Sequence, residues 1–219
     1  MLSSPSPRSD SETGHRFVPQ TENKRYLPIP NAPPPENIFD LLTSRRSTRT
    51  LYPLTEARLG DLLWHSARVL EMSSPSSDYP MRKRPAPSAG GLQSQNILVQ
   101  TSPESLLFYD PLAHALGSLV NDSTSLQQLF EHAMTVVPAR AATILWMAGD
   151  QKWISNFYND EESLLWRDSG CLAGVLTLVA EALGIGACIL GISGEPHLSR
   201  LFDGNLAGFG AVLVGELVE

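Results

Sequence analysis

The chain has 219 residues, of which 42% are hydrophobic and 18% charged, and this balance predicts one globular domain whose core needs no disulfide or metal. The formal net charge is −7 and the pI about 5.2, which disfavours a nucleic-acid-binding protein because such proteins are usually basic. The two cysteines, Cys171 and Cys188, form no CxxC pair or Cys/His cluster, so we expect small buried apolar side chains rather than metal ligands.

Residues 1–35 differ in composition from the rest of the chain. They hold 8 of the 17 prolines and few large apolar residues, which predicts a Pro-rich N-terminal arm whose first half is disordered. Residues 16–31 have the composition to lie extended over a neighbour's surface. The first residues lack the apolar run of a secretory signal, so we expect a cytoplasmic protein whose folded domain spans residues 36–219.

The rest of the chain predicts an α+β domain with no internal repeat. Thr55 is a suitable N-cap residue for the second of its helices. Apolar residues at helical spacing predict helices at 37–44, 55 to about 70, 123–134, 162–183 and 195–202, with a short helix or loop at 151–158. Short apolar runs predict strands at 96–100, 106–109, 141–147, 187–192 and 209–217. Residues 171–192 are long enough for a membrane span, but Gly184 and Gly186 interrupt them, so a buried helix, a turn and a buried strand are expected.

Three polar segments interrupt this pattern. Residues 44–49 (SRRSTR) follow the first helix, and their guanidiniums and hydroxyls suit a phosphate and a polyol chain; the alternative is a solvated basic helix end. Residues 84–91 (RPAPSAGG) lie in a long Pro/Ser-rich loop and allow close approach of a flat ligand, or form a plain turn. Asp168 falls on the apolar face of its helix and needs a partner, either an arginine or a backbone amide, which favours a structural role.

Together, and in this order, these segments resemble the nitroreductase-like flavoprotein superfamily. The match is closer to its SagB-type dehydrogenase branch, the azoline oxidases of thiazole/oxazole-modified peptide pathways. Residues 45–49 resemble the opening flavin motif of the branch, and residues 84–93 resemble its Pro-Ser-Ala-Gly motif. Residues 108–116 resemble its Tyr-Pro-His-Leu segment, and residues 167–191 its Asp-Ala-Gly helix. The resemblance covers about residues 36–217.

The resemblance implies a nitroreductase-like fold, with a central, mostly antiparallel sheet flanked by helices, in an intertwined homodimer that binds FMN at two interface sites. Residues 45–49 would hold the phosphate, the ribityl chain and the pyrimidine edge of the flavin. Residues 87–89 would pack on the ring from the other subunit. Leu190 and Gly191 would face N5 through their backbone. The expected contacts, in chain order, are Arg45, Arg46, Ser47, Arg49, Pro87, Ser88, Ala89, Gln93, Leu190 and Gly191.

The resemblance also implies a reaction, in which an azoline ring in a ribosomally made peptide loses a proton and a hydride to become an azole. Enzymes of this branch use a Lys-Tyr pair before the Asp-Ala-Gly helix. This chain has Lys152-Trp153 at that place, so Lys152 would be the base if it is buried, and Tyr158 would supply the missing phenol. The peptide and cyclodehydratase-type proteins would be partners, with no nucleic acid and no membrane.

Two other functions stay open. One is a nitro or quinone reductase that uses a nicotinamide. The other is a non-catalytic family member that acts as a binding partner in a biosynthetic complex. The second is supported by Trp153, by the Pro-rich arm and by the absence of the basic pair that follows the last strand in the wider family.

Overall fold

The computed structural model describes residues 3–9, 14–32, 35–73, 81–119, 123–137 and 142–218. The helices are α1 Ile38–Ser44, α2 Glu56–Ala67, α3 Ser123–Met134, α4 Gln151–Ser155, α5 Glu162–Ala182 and α6 His197–Leu201. The strands are β1 Ser6–Pro7, β2 Glu22–Tyr26, β3 Leu51–Tyr52, β4 Glu71–Met72, β5 Arg82–Lys83, β6 Gln95–Ser102, β7 Ser105–Asp110, β8 Ala115–Ser118, β9 Thr143–Gly149, β10 Tyr158–Asn159, β11 Ile185–Leu190 and β12 Ala207–Leu217. A 3-10 turn covers Ala89–Gly91.

An eight-stranded sheet organises the domain, in the order β11-β12-β9-β6-β7-β8-β2, with β3 paired to β12. Its strand pairs are antiparallel. One face packs against α2 and α5, and the other against α3 and α6. The predicted α+β architecture, a largely antiparallel sheet flanked by helices, is confirmed.

The sequence explains why the central elements form where they do. Thr55 caps α2, because its hydroxyl accepts the Arg58 N–H at 3.3 Å and satisfies a free donor of the first turn. All seven residues of β9 are buried, as expected for a strand covered on both faces. The polar side chain of Gln100 is buried with both of its ends hydrogen-bonded. Its NH2 group donates to the Leu126 carbonyl, and its oxygen accepts the Trp146 indole N–H.

The N-terminal arm packs on its own chain. β1 pairs with β10, β2 extends the main sheet beside β8, and Phe17 packs edge-on against Phe202 with ring centroids 6.3 Å apart. The predicted disorder of the first half falls in part on residues 1–2 and 10–13, which lie outside the described residues. The division at residue 35 stays a prediction.

Two smaller expectations have different outcomes. Cys188 is buried as expected, but Cys171 is exposed, so that expectation was wrong; both thiols are free. Cys171 lies on the outer side of α5, next to Gly170, which is also exposed. None of the helices within the described ranges has the length and hydropathy needed to cross a membrane.

Candidate functional site

A cavity of about 440 Å³ lies between α5 and the adjoining ends of β9, β11 and β12. This volume is in the range of small-molecule sites, about 300–1,000 Å³. Leu190 and Gly191, two of the predicted contacts, lie on its wall. The full lining is Met147, Trp166, Ser169, Gly170, Ala173, Ile189, Leu190, Gly191, Ile192, Ser193, Phe209 and Gly210.

Two glycines open this cavity to a flat ligand. A Cβ built on Gly170 or on Gly191 would meet no atom within 4 Å, so at both positions bare backbone faces free space. A planar ring can therefore approach the main chain closely. At the rim, Trp166 and Ile189 are 42% and 50% exposed, and exposed large apolar side chains beside a cavity are typical of a binding site.

The predicted basic segment is anchored to the strand that leads into this cavity. Ser47 forms a parallel bridge with Ala187 of β11, and the Thr48 N–H donates to the Ala187 carbonyl at 2.9 Å. Leu190 is three residues further along the strand, about 10 Å away. The fold therefore brings the first and third predicted segments to one side of the domain.

The arginines of this segment differ in what they contact. The Arg46 guanidinium donates to the carbonyls of Thr43, Ser44 and Arg45, at 2.7, 3.1 and 2.9 Å, so it closes the C-terminal end of α1. Arg49 is exposed and Arg45 half-buried. Within the described part of the chain, neither of these two side chains has a hydrogen-bond partner. The guanidiniums of Arg45 and Arg49 therefore remain available to a phosphate, whereas that of Arg46 is already hydrogen-bonded to the C-terminal end of α1.

The turn that carries the second motif is held by Asp168. Its carboxylate accepts the Ala89 N–H at 2.9 Å and the Ser94 hydroxyl at 3.5 Å. Burial raises the pKa of Asp168, and the two hydrogen bonds oppose this. The expected partner for this buried carboxylate is thus a backbone amide rather than an arginine.

Ser88 and Gln93 support the turn from within. The Ser88 oxygen accepts the Gln93 N–H at 2.9 Å, and the Gln93 side-chain amide donates to the Ala86 carbonyl at 3.1 Å. Gln93 has a φ of 50°, which these bonds stabilise. Ser88 keeps its own O–H for a further acceptor, and the exposed Pro87 precedes it.

Trp153 and Arg16 form a clamp on the end of this turn, at the carbonyls of Leu92 and Gln93. Sequence reasoning missed this clamp. The Trp153 indole N–H donates to the Leu92 carbonyl at 3.1 Å. Arg16 donates to the same carbonyl and to that of Gln93, with its guanidinium 4.5 Å from the Trp153 ring centroid. Burial, with the charges of two neighbouring arginines, lowers the pKa of Arg16 to about 9. No sequence signal identified Arg16, since it lies in the Pro-rich arm.

The two predicted catalytic residues lie apart from the cavity wall. Lys152 is exposed, and its ammonium donates to Asn205 Oδ1 at 3.0 Å. Tyr158 lies over the second motif, since a Cβ added to Gly90 would be 2.9 Å from the Tyr158 hydroxyl. Within one chain the structure therefore associates Tyr158 with the turn and leaves Lys152 on the surface of α4. Across the described residues, no group of His, Cys, Asp and Glu is placed to hold a metal ion.

Several solved structures share this fold over most of the chain. A nitroreductase-type protein of Ralstonia eutropha JMP134 is 20% identical, with a TM-score of 0.68 over 95% of this chain and 98% of that one. A Desulfovibrio desulfuricans nitroreductase-type protein in complex with FMN is 19% identical, with a TM-score of 0.54 over 85% and 89%. The Escherichia coli microcin synthetase McbBCD complex with truncated pro-MccB17 bound has a chain that is 16% identical, with a TM-score of 0.54 over 90% and 80%.

Identities this low establish the fold alone. No curated protein sequence matches the chain. The model of the nitroreductase family matches residues 42–215, a range that contains the basic segment, the turn held by Asp168 and the cavity beside α5. The chain therefore belongs to the nitroreductase family.

Proposed function

We propose that this chain is an FMN-dependent oxidoreductase that works as a homodimer and oxidises azoline rings in a ribosomally made peptide to azoles. The observation that carries the proposal is the cavity beside α5, where Gly170 and Gly191 present open backbone. The anchored basic segment on the neighbouring strand supports it, because it supplies cations on the same side of the domain. The flavin-binding relative and the peptide-bound synthetase relative support the choice of cofactor and substrate class.

Each part of the site has a role in this proposal. Arg45, Ser47 and Arg49 hold the phosphate and ribityl chain, and Arg46 shapes the segment that presents them. Leu190 and Gly191 line the ring through their backbone. Pro87, Ser88 and Ala89 pack on the ring from the second copy, and the Ser88 hydroxyl donates to a ring acceptor, with Gln93 beside it.

Exposed apolar residues on α1 support the homodimer. Ile38, Phe39 and Leu42 are 48%, 73% and 57% exposed, and α1 has no buried residue. An amphipathic helix with an uncovered apolar face is marginal in water. In the proposed dimer a second copy covers this face and contributes its residues 87–89 to the cavity. The two free cysteines suit the reducing cytoplasm, where we place the protein.

FMN, when bound, would supply the hydride acceptor. Lys152, as the neutral amine that enclosure by the peptide or the second copy favours, would take the proton from the ring carbon at its Nζ. In the single chain this group is exposed. The Tyr158 hydroxyl, above the turn at Gly90, would orient the ring that loses the proton. Water must leave the cavity as the peptide binds, and the apolar rim at Trp166 and Ile189 favours this.

A second candidate is a family member without turnover, which binds the peptide or its modifying enzymes. It is favoured by the position of Trp153, whose indole is buried and bonded to the Leu92 carbonyl. The place that carries tyrosine in azoline oxidases therefore offers no free phenol here. A nicotinamide-dependent nitro or quinone reductase is the third possibility, and it needs no peptide.

The deciding experiment is the visible spectrum of the purified protein, followed by identification of the flavin released on heating. We expect an oxidised-flavin spectrum with about one FMN per chain. An azoline peptide and a nitroarene with NADPH are then tested as substrates, and oxidation of the peptide alone is the expected result. A colourless protein that cannot be reconstituted with FMN would contradict both enzyme functions and leave the binding role.

A further inference from the structure

Arg16 brings the N-terminal arm into contact with the end of the second motif. Its guanidinium donates to the Gln93 carbonyl at 2.9 Å and to the Leu92 carbonyl, and it lies 4.5 Å from the centroid of the Trp153 ring. One half-buried side chain therefore connects three segments that are far apart in sequence: the arm, the end of the turn and helix α4.

The turn needs support at this end because part of its backbone is in an unfavourable conformation. Gly90 and Gly91 have φ angles of 55° and 66°, which glycine adopts readily, but Gln93 has a φ of 50°. A residue other than glycine is strained in this left-handed region and persists there only where its surroundings hold it. The carbonyls of Leu92 and Gln93 belong to the two peptide planes on either side of the Gln93 α-carbon, so a group that fixes both planes fixes this conformation.

The other contacts of the turn act at different places. Asp168 accepts the Ala89 N–H at the beginning of the turn. The Trp153 indole donates to the Leu92 carbonyl, which belongs to only the first of the two peptide planes. Among the described residues, the side-chain donor to the Gln93 carbonyl is the guanidinium of the arm alone.

The arm holds Arg16 in place from both sides. After it, the Phe17 N–H donates to the Asp150 carboxylate at 2.7 Å, and this carboxylate also caps α4. Before it, β1 pairs with β10, and Gly14 packs so closely on the Asn156 side chain that there is no room for a Cβ. Arg16 therefore acts from a backbone that is fixed on α4 and β10.

Arginine suits these contacts better than lysine does. Its planar guanidinium presents N–H groups in a fixed fork and stacks on aromatic rings, and here two of its nitrogens donate to consecutive carbonyls. Burial, with the charges of Arg82 and Arg84, lowers the pKa of Arg16 to about 9, and Asp150 opposes this. The group thus stays a cation at neutral pH in surroundings that do not favour one.

We infer that Arg16 is a positioning residue of the proposed flavin site, which holds the end of the turn so that residues 87–89 keep the shape that packs on the ring. The inference rests on the proposed function, since it needs a flavin for this turn to contact. A turn already held in its bound conformation loses less entropy when the ligand binds, which strengthens binding. In the proposed dimer the turn of one copy packs on the flavin of the other, so the arm of each copy would set the affinity of its partner's site.

The test compares Arg16→Gln and Arg16→Lys with Arg58→Gln. Arg58 makes the same kind of contact elsewhere, since its guanidinium donates to the carbonyls of Leu183 and Gly184, at 2.8 and 3.3 Å, at the end of α5. Arg58→Gln therefore removes a comparable contact and leaves the turn untouched. Two quantities are measured on the purified full chain: the rate of amide hydrogen exchange at residues 88–93, and the affinity for added FMN by fluorescence titration after bound flavin is removed.

We expect both Arg16 variants to exchange the amide hydrogens of the turn about tenfold faster than the parent and to bind FMN about tenfold more weakly. Lysine should not rescue either quantity, because one ammonium keeps the charge but lacks the fork. Arg58→Gln should match the parent in both measurements even if its Tm falls, so a loss of stability by itself does not produce the effect.

The outcomes separate this inference from the proposed function. A parent protein that binds no FMN contradicts the proposed function, and this inference with it. A parent that binds FMN, beside an Arg16→Gln variant with unchanged exchange at the turn, overturns this inference alone. Faster exchange with unchanged FMN affinity would show a purely structural role and would also overturn it, as would full rescue by Arg16→Lys or an equal loss of FMN affinity in Arg58→Gln.

Discussion

The carboxylate of Asp168, on helix α5, accepts the backbone N–H of Ala89 at 2.9 Å. The residues are 79 positions apart in sequence, so this bond fixes the turn at 89–91 to the helix that also forms a wall of the main cavity. One short contact thus couples the position of the motif around Ser88 to that of Gly170, two residues after Asp168.

Replacing Asp168 with alanine should therefore destabilise the domain. The variant leaves the half-buried Ala89 N–H and the buried Ser94 hydroxyl without their acceptor, which costs about 2 kcal/mol, or roughly 4–8 °C in Tm for a chain of this size. Asp168→Asn is the matched control, because its amide oxygen still accepts the Ala89 N–H. The neutral amide also avoids the cost of burying a charge, which is what raises the pKa of Asp168. Thermal unfolding of both variants decides the matter, and equal losses in both would show that the negative charge itself is needed.

The clamp on the Leu92 carbonyl predicts a second difference in stability. Trp153→Phe keeps a ring under the Arg16 guanidinium but removes the indole donor, so we expect a loss of about 1 kcal/mol, or roughly 2–4 °C in Tm. Trp166→Phe is the control, since Trp166 is 42% exposed and its indole N–H makes only a 3.4 Å bond to Glu162. A loss in Trp166→Phe as large as that in Trp153→Phe would contradict a specific role for the clamp.

Local sequence patterns predicted much of the architecture. Helix α3 was predicted at 123–134, as observed, because its apolar residues keep a helical period on one face. β11 begins at Ile185 rather than at 187, since it starts directly after Gly184, whose φ of 63° ends the helix. β2 was missed because all five of its residues are exposed, so its partner β8 stabilises it through backbone pairing, which leaves no apolar pattern.

The site was predictable where contacts are local or where the family resemblance supplied them. Leu190 and Gly191 line the cavity, and their contact with a flavin ring stays a prediction. The clamp was not predictable, because Arg16 lies 77 positions from the carbonyl of Gln93 to which it donates. A single sequence also cannot show that Trp153 is buried while the adjacent Lys152 is exposed, since the two side chains leave α4 in different directions.

Filling the main cavity should remove flavin binding while preserving the fold. Gly170 and Gly174 both lie on α5, and a Cβ at either would meet no atom within 4 Å, but only Gly170 lines the cavity. We expect Gly170→Val to weaken FMN binding at least tenfold, equivalent to about 1.4 kcal/mol, and Gly174→Val to bind as the parent does. Flavin fluorescence titration measures both affinities. Equal affinity of Gly170→Val and the parent would place the flavin elsewhere.

If Lys152 is the base of peptide oxidation, Lys152→Ala should reduce kcat by about 10²–10⁴-fold, the usual contribution of a general base. Tm should hardly change, because Lys152 is exposed and, among the described residues, its ammonium is hydrogen-bonded to Asn205 alone. The control is Asn205→Ala, which removes that bond and leaves the ammonium in place. Equal activity of Lys152→Ala and the parent in an azoline oxidation assay would exclude Lys152 as the base.

The histidine that secures the arm predicts a pH dependence of stability. His114 is buried, and its Nδ1 lies 2.9 Å from the Tyr109 hydroxyl while its Nε2 lies 3.2 Å from the Pro28 carbonyl. Nε2 donates to the carbonyl, and in the neutral ring, which burial favours, Nδ1 accepts from the Tyr109 hydroxyl. Burial lowers the pKa of His114 below its ordinary value of 6.5.

The unfolded chain therefore binds a proton at higher pH than the folded one does. The stability that neutral His114 contributes is present above about pH 6.5 and is lost as the pH falls through the lower, folded pKa. Tm should fall between about pH 7 and pH 5, and His114→Gln should show a shallower slope. The exposed His15 provides a control, His15→Gln, which should follow the parent. The pKa values of His65 and His197 are also lowered by burial, so an unchanged slope in His114→Gln would exclude His114 as the source of the effect.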